Sequence, residues 1–311
     1  MYAAIIAYLT FGSSPLNVSR YDFTQAHMGV RVDISLYAPD RAAAERAAKA
    51  AFDEIARIEA IASDYRPDSE AMRLCDQAGQ GPVRVSPTLM NLLLRSEQLH
   101  YHSGGLFDVT AGPLVRLWRE SRRTGVLPTH EAVQAARRNV GMEAVRIEPD
   151  AGTVEITRPG VRLDFGGIAK GYACDAAVQA MRNAGAPACL VEMGGDIALG
   201  DAPPGEAGWR VLLTTTGESV QLHNCGVSTS GDTEQFIEVG GRRYSHVVDL
   251  RTGLGSRQRV MATVMGPDAT TTDALATALS AGGYAMKVRL LKAYPELDIR
   301  LRVGRDEPLS R

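Results

Sequence analysis

A glycine-rich turn between Asp164 and Asp175 carries the strongest chemical signal in the sequence. Its adjacent glycines, Gly166 and Gly167, precede a predicted helix, so the backbone there can approach a ligand closely and the helix N-terminus favours phosphate. Gly167 offers a bare carbonyl group, Lys170 a positive charge, and Asp164 an acceptor for a ring or ribose group. The segment has neither the P-loop pattern nor the spacing of a dinucleotide-binding Rossmann turn. A strand-to-helix turn with a solvated lysine is the alternative interpretation.

A second segment, from Asp268 to Thr277, combines a carboxylate with a hydroxyl group at helical spacing. Asp273 and Thr277 are four residues apart, so their side chains share one face of a helix. Mg²⁺ accepts so small a ligand set because it keeps waters and takes phosphate oxygens from a substrate. An aspartate that interacts with the helix dipole near the helix start is the alternative interpretation.

A histidine lies on the second strand of a predicted hairpin in the last third of the chain. His246 is followed closely by Asp249 and Arg251, and the hairpin is preceded by the polar segment from Ser228 to Asp232. A single histidine more often has a structural role, but one within reach of a phosphate site is a candidate base or phosphate ligand. His246 is therefore the candidate base.

The segment from Gly105 to Trp118 mixes aromatic side chains, a carboxylate and a Gly-Pro pair. It fits the wall of a pocket for an aromatic ring, and it fits ordinary core with a turn equally well. Just before it, His100 and His102 lie at a predicted helix end, where capping of the last turn explains them.

The elements that must position these segments are strands mixed with isolated helices. Alternation of apolar and polar residues predicts a half-buried strand over 29–37. Capping signals and apolar spacing predict helices over about 40–63, 86–104, 129–140, 168–183, 268–280 and 286–293. Further strands are predicted over 188–193, 209–215, 220–228, 235–239, 242–249, 260–265 and 298–303, with a hairpin over 145–163. This mixture predicts an α+β fold in two lobes that share one core.

Composition excludes several classes of protein. The chain has 311 residues, of which 45% are hydrophobic and 23% charged, as in soluble globular proteins rather than disordered ones. Its net charge of −2 gives no broad attraction to nucleic acid, so no nucleic-acid partner is expected. The four cysteines lack the spacing of a zinc site, and buried thiols are their default interpretation.

The N-terminus has two interpretations. Residues 2–11 form a short apolar run that precedes small residues, as in part of a secretory signal, but a basic leading segment is missing. The run is too short to span a membrane as a helix, and a first strand fits it as well. We expect residues 1–22 to be an extension or a remnant signal and 23–311 to form the functional domain.

Taken in order, these segments resemble the ApbE family of FAD:protein FMN transferases. The resemblance extends from about residue 26 to about residue 283, nearly the whole chain. Eight motifs carry it, namely His27-Met28-Gly29; Ser63 to Ser69; Phe107 to Thr110 with Gly112-Pro113-Leu114; Asp164 to Asp175; Gly194-Gly195-Asp196; Ser228 to Asp232; His246 to Gly253; and Thr272 to Thr277. Each motif is modest alone, and their common order makes the resemblance specific.

The resemblance implies a two-lobed, T-fold-like α+β flavin transferase with mostly antiparallel sheets and flanking helices. It implies Mg²⁺-dependent transfer of the FMN part of FAD to a threonine or serine of an acceptor flavoprotein, with release of AMP. FAD and this acceptor would be the partners, and the location would be outside the cytoplasmic membrane, with the cytoplasm as the alternative. The alternative functions are hydrolysis of FAD to FMN and AMP, and FAD binding without turnover.

The resemblance also assigns site residues by position. The flavin nucleotide would contact Met28, Tyr65, Leu106, Phe107, Asp108, Asp164, Lys170 and Ala176. The backbone carbonyl of Gly167, with Asp273 and Thr277, would bind Mg²⁺. His246 would lie beside the phosphates as the general base, with Asp249 as the alternative.

Three positions depart from the family pattern. Leu250 and Gly255 stand where the family usually has proline, and Val30 replaces a threonine. The first two bear on the rigidity of their loop more than on the chemistry.

Overall fold

The computed structural model describes residues 18–231 and 236–304 of the chain. Most of the expected N-terminal extension lies outside the described residues, and so does Asp232 of the motif that begins at Ser228. The expected boundary at residue 22 falls inside the first strand, which begins at Ser19 and pairs along its whole length with the next strand.

Seven α-helices occur in the described part of the chain. They are Arg41–Ala62 (α1), Glu70–Asp76 (α2), Pro87–Ser103 (α3), Gly112–Thr124 (α4), His130–Arg137 (α5), Ala169–Asn183 (α6) and Ala269–Ala293 (α7), with a 3₁₀ turn at Met142–Ala144. The predicted caps are confirmed for three of them, because the side chains of Asp40, Ser86 and Asp268 accept hydrogen bonds from first-turn amides. Within residues 18–231 and 236–304, no helix is long and apolar enough to cross a membrane.

The strands form one large sheet and four small ones. They are Ser19–His27 (β1), Val30–Ala38 (β2), Val83–Arg84 (β3), Val145–Glu148 (β4), Thr153–Ile156 (β5), Cys189–Met193 (β6), Asp196–Leu199 (β7), Trp209–Leu212 (β8), Ser219–Leu222 (β9), Cys225–Ser230 (β10), Phe236–Val239 (β11), Arg242–Ser245 (β12), Val248–Asp249 (β13), Leu254–Gly255 (β14), Val260–Gly266 (β15) and Asp298–Val303 (β16). The large sheet has the order β1-β2-β6-β7-β10-β15-β16, with every neighbouring pair antiparallel.

The main core lies on one face of the large sheet. Alternate residues of β2, such as Val32, Ile34 and Leu36, point to that face and are buried with α1 and α6. Helix α7 lies across β10 and β15 on the large sheet, and it joins α3 and the β3-β5-β4 sheet in a second apolar cluster. The opposite face is covered near β7 by the β8–β9 hairpin, where Trp209 packs against Tyr37.

A smaller lobe contains α4, α5 and strands β11 to β14. Trp118 of α4 and Tyr244 of β12 pack together with ring centroids 5.7 Å apart in its apolar cluster. The Trp118 indole also donates a hydrogen bond to the Ser245 carbonyl at 2.9 Å, which ties α4 to the end of β12. The predicted α+β fold with two lobes and mostly antiparallel sheets is confirmed.

Several predicted boundaries are wrong. The predicted strand over 220–228 is two strands, because Asn224 adopts a left-handed backbone (φ 50°) and redirects the chain between β9 and β10. The strand over 242–249 is interrupted after Ser245, whose hydroxyl accepts a bond from the Val247 amide. The hairpin ends at Ile156. The prediction of two helices after Asp268 is confirmed, because a non-helical Gly283 (φ 58°) separates two helical segments within α7.

Candidate functional site

A cavity of about 730 Å³ opens between the main core and the smaller lobe. Its volume lies within the range of roughly 300–1,000 Å³ that is usual for small-molecule sites. The predicted site residues that line it are Met28, Tyr65, Leu106, Phe107, Asp108, Asp164, Gly167, Lys170, His246 and Thr277. They come from the β1–β2 turn, the loops after α1 and α3, the glycine-rich turn, the β12–β13 connection and α7. The fold therefore brings distant motifs to one place.

The glycine-rich turn meets α7 at the predicted metal ligands. A Cβ atom added at Gly167 would lie 3.2 Å from the Thr277 hydroxyl oxygen. One turn earlier on α7, the Asp273 carboxylate accepts a hydrogen bond from the Gly171 amide at 3.1 Å. Gly171 itself is necessary for this contact, since an added Cβ would lie 2.1 Å from the Ala269 carbonyl oxygen. The glycine-rich turn and the first turn of α6 therefore lie against the part of α7 that carries Asp273 and Thr277.

Two buried carboxylates flank a buried lysine beside this meeting point. The Lys170 ammonium forms an ion pair with Asp196 and lies 3.7 Å from an Asp273 oxygen. Burial lowers the pKa of Lys170, but the two carboxylates outweigh burial and raise it, so this side chain is a cation. Burial and the nearby Asp196 raise the pKa of Asp273 to about 7. The cluster therefore carries one negative charge more than positive charges when both carboxylates are ionised.

This cluster fits a hard divalent cation. The described residues contain no group of three or more His, Cys, Asp or Glu side chains that could hold a metal ion. The Asp273 carboxylate and the Thr277 hydroxyl, one helical turn apart, are oxygen ligands of the kind that Mg²⁺ accepts. The excess negative charge of the buried cluster is the charge that such a cation would neutralise.

A guanidinium that sequence reasoning missed organises the opposite wall of the cavity. Arg119 of α4 forms ion pairs with Asp64 and with Asp164, the latter at 2.9 Å. Its Cζ atom lies 4.3 Å from the centre of the Tyr65 ring, a cation–π distance. Burial and the nearby Asp64 raise the pKa of Asp164 to about 6, while Arg119 opposes that rise. Because these partners are far apart in sequence, no local pattern indicated Arg119.

Asp108, in the cavity wall, is held in place by polar contacts from two sides. One of its oxygens accepts from the Thr110 amide at 2.8 Å and from the Thr110 hydroxyl at 2.6 Å, and the other lies 3.3 Å from His100 Nδ1. The same ring nitrogen is 3.1 Å from the Phe107 carbonyl oxygen. The hydrogen bond with Asp108 raises the pKa of His100 despite burial. His100 therefore orders the Phe107–Asp108 turn, which corrects the capping role expected for it.

The two candidate bases have different environments. His246 lines the cavity, whereas Asp249 is buried and is absent from the cavity wall. Both Asp249 oxygens accept hydrogen bonds from the Arg251 side chain, at 2.9 and 2.8 Å. Asp249 thus stabilises its turn, and the geometry favours His246 as the base.

One predicted contact residue and one departure from the family pattern have clear structural settings. Ala176 is not part of the cavity wall, since it packs against the apolar cluster of α1, α6 and β2. Gly255 stands where a proline is usual because Trp118 fills the adjoining space, and an added Cβ would lie 2.3 Å from its ring. Asp196, which has no predicted role, follows the Gly194-Gly195 pair, and that glycine pair was the available signal.

Comparison with known proteins assigns the chain to a family. The profile of the ApbE family matches residues 28–301. A curated FAD:protein FMN transferase of Treponema pallidum (strain Nichols) is 31% identical over 303 residues, which cover 90% of this chain and 84% of that protein. The chain belongs to the ApbE family. The resemblance inferred from its eight motifs is confirmed.

Other members support the assignment. The FAD:protein FMN transferase of Vibrio cholerae (strain ATCC 39541 / Classical Ogawa 395 / O395) is 32% identical over 231 residues, covering 71% of this chain and 69% of that protein. Among solved structures, Pseudomonas stutzeri flavinyl transferase ApbE in its apo form superposes with a TM-score of 0.83 at 27% identity, covering 93% of this chain and 92% of that one. Flavin transferase ApbE from Vibrio cholerae gives a TM-score of 0.79 at 28% identity, covering 93% and 95%. This ApbE-family chain therefore shares both the sequence pattern and the fold.

Proposed function

We propose that this chain is an FAD:protein FMN transferase that moves the FMN part of FAD onto a threonine or serine hydroxyl of an acceptor flavoprotein and releases AMP. Family membership and the names of its relatives support a transferase that uses FAD. The observation that carries the proposal is the contact of Gly167 with Thr277 in the wall of a cavity of nucleotide-binding size, with Asp273 one turn of α7 away from Thr277.

The proposed reaction is a phosphoryl-type transfer. The acceptor hydroxyl oxygen forms a bond to the FMN phosphorus, and the bond from that phosphorus to the bridging oxygen of the pyrophosphate breaks. AMP leaves with the bridging oxygen, and the hydroxyl proton passes to a base of the protein. Such reactions depend mainly on positioning and on stabilisation of negative charge.

The proposed cation is Mg²⁺, which when bound neutralises negative charge on the pyrophosphate. The chain supplies the Gly167 carbonyl, the Asp273 carboxylate and the Thr277 hydroxyl as its ligands. Lys170 remains paired with Asp196, so it fixes the position of the neighbouring carboxylate and adds a positive charge near the phosphates.

His246 is the proposed general base. A hydroxyl group has a high pKa, so removal of its proton during attack lowers the barrier. His246 lines the cavity, whereas both oxygens of Asp249 are occupied by Arg251. In the same cavity, the Tyr65 ring and Arg119 offer a flat surface of the kind on which an isoalloxazine ring can stack.

The experiment that tests the proposal separates transfer from hydrolysis and from simple binding. The full chain is incubated with FAD and Mg²⁺, with and without a purified flavoprotein acceptor domain, and products are identified by intact mass and by AMP release. Transfer predicts an FMN adduct on the acceptor and AMP in equal amount. AMP without an acceptor indicates hydrolysis, and retained FAD without AMP indicates a carrier. Asp201→Asn, at an exposed site, is the matched control for Asp273→Asn.

A further inference from the structure

A second cavity, of about 380 Å³, adjoins the flavin-sized cavity. Leu106 and Leu250 line both cavities. The floor of the second one is Gly282 of α7, where an added Cβ would lie 2.8 Å from a Leu106 methyl carbon. Only a side-chain layer therefore separates the two spaces, and we call the second one the α7 groove.

The α7 groove is basic. Its lining residues include Arg251 and Arg289 but no carboxylate. Asp249 neutralises Arg251 through two hydrogen bonds. Arg289 differs, since within residues 18–231 and 236–304 it forms no salt bridge and donates only to the carbonyl groups of His102, at 2.8 Å, and Tyr101, at 3.3 Å. Its positive charge is therefore available to an anionic ligand.

The Arg289 guanidinium is held in one position. It lies across the turn after α3, where an added Cβ at Gly104 would be 2.7 Å from the guanidinium carbon. The turn is therefore shaped to let the side chain lie flat, and the two carbonyl bonds hold it there. A cation fixed in this way loses less conformational entropy on binding than a free surface arginine does.

The residue types next to Arg289 are common in protein interfaces. Tyr101, whose carbonyl group accepts a hydrogen bond from Arg289, exposes 75% of its surface. Tyrosine and arginine are enriched among the residues that contribute most binding energy at interfaces. The stretch from Tyr284 to Tyr294 contains three basic residues and no acidic one. These features suit a polypeptide with negative charge.

We propose that the α7 groove binds an acidic segment of the acceptor flavoprotein, next to the hydroxyl that receives FMN. This inference rests on the proposed function, because the groove continues from the cavity in which the reaction would occur. An acceptor chain that crosses Leu106 can place carboxylates on Arg289 and a threonine at the cavity mouth. The groove would then select the acceptor and set its register, while the flavin-sized cavity binds FAD.

Binding is tested with two labelled peptides on the full chain, saturated with FAD in EDTA so that transfer does not start. Each peptide has a central threonine, flanked by aspartates in one and by lysines in the other, and affinity is read by fluorescence anisotropy. We expect the aspartate peptide to bind about tenfold more tightly, and Arg289→Glu to abolish or reverse that preference. Arg46→Glu, the same change at an exposed site on α1, should leave both affinities within about twofold.

Two results would overturn the groove assignment. Equal affinity of both peptides for the unaltered protein is one. Loss of FAD affinity in Arg289→Glu as large as its loss of peptide affinity is the other, because the groove would then belong to the nucleotide site. If Arg289→Glu does not fold, Arg289→Gln provides a second test, because it removes the charge without adding an opposite one. Arg289→Gln should give an intermediate preference for the aspartate peptide.

Transfer kinetics separate this inference from the proposed function. With an acceptor domain that is modified by the unaltered protein, Arg289→Glu should raise the KM for the acceptor about tenfold and leave the KM for FAD unchanged. If transfer proceeds with an unchanged KM for the acceptor, the groove assignment fails and the proposed function stands. If no acceptor is modified under any condition, the proposed function fails whatever the peptides do.

Discussion

The side chain of Thr277 lies directly against Gly167, so that a methyl group at residue 167 would be 3.2 Å from the threonine hydroxyl oxygen. The two residues are far apart in sequence and belong to different elements, the glycine-rich turn and α7. Their contact, with Asp273 one helical turn away, places the proposed metal ligands together.

Two substitutions of Thr277 test the shape of its side chain and its oxygen atom separately. Thr277→Val keeps the shape and removes the proposed ligand, so we expect the Mg²⁺ concentration for half-maximal transfer to rise at least about tenfold. Thr277→Ser keeps the oxygen and should remain within about threefold of the unaltered protein. Both values come from metal titrations of FMN transfer. Equal behaviour of the two variants would exclude a ligand role for the hydroxyl.

Asp273→Asn should abolish transfer and should make the metal-free protein more stable. Without metal, the buried carboxylate carries a charge that Lys170 does not neutralise, since Lys170 is also paired with Asp196. In EDTA we therefore expect the variant to be more stable by about 1–2 kcal/mol in urea unfolding. Mg²⁺ should stabilise the unaltered protein but not the variant, and transfer should be abolished. A destabilised variant in EDTA would contradict this account.

Removing Arg119 should cause a loss of stability that depends on pH. In Arg119→Met, Asp64 and Asp164 are left close together without a cation, which should cost about 2 kcal/mol at about pH 8, with allowance for partial exposure. The pKa of Asp164 is already raised to about 6 and rises further in the variant. As pH falls through that range the carboxyl group takes up a proton, so the stability difference should shrink. Urea unfolding across pH checks this, with Arg119→Lys as the charge-conserving control.

His100 should contribute stability that decreases with rising pH. Its pKa is raised in the folded protein by the hydrogen bond with Asp108. A group with a raised folded pKa stabilises the protein fully below its unfolded pKa of about 6.5, and loses that contribution as pH rises through the folded pKa. We expect His100→Gln to be less stable than the unaltered protein in weak acid and the difference to narrow above neutral pH. A difference independent of pH would show that the ring acts only by packing.

The two candidate bases should respond differently to substitution. His246→Ala should lower kcat for transfer about a hundredfold or more and leave FAD affinity nearly unchanged, because a proton acceptor acts in the transition state. Asp249→Asn should chiefly lower the melting temperature, since it weakens the bonds from Arg251 that order the turn. Product formation in quenched reactions gives kcat, and thermal unfolding of the same samples gives the melting temperature. A kcat loss confined to Asp249→Asn would reverse the assignment.

Features set by neighbouring residues could be predicted from the sequence. The starts of α1, α3 and α7 follow from Asp40, Ser86 and Asp268, whose side chains bond amides three residues ahead. Asn224 shows the limit of such reasoning, since asparagine permits a left-handed backbone without requiring one. The break between β9 and β10 depends on a contact with a distant residue, because the Asn224 amide donates a hydrogen bond to the Gly200 carbonyl group.

The candidate site likewise has residues that could be predicted from the sequence and residues that could not. Asp273 and Thr277 could be paired from helical spacing, and resemblance to a family linked them to Gly167. Arg119 could not be found, because its role depends on carboxylates that only the folded chain brings to it. The ion pair of Lys170 with Asp196 is another such contact, formed between α6 and the start of β7.

The interruption of α7 at Gly283 divides that helix into two parts with different freedom to change. Up to this residue almost every side chain is buried, so Asp273 and Thr277 are anchored in the frame of the large sheet. Beyond it, Tyr284 and Arg289 are exposed. Substitutions in the outer part can therefore accumulate during evolution without displacing the proposed metal ligands, so that related enzymes can diverge in what they recognise and keep the same inner frame.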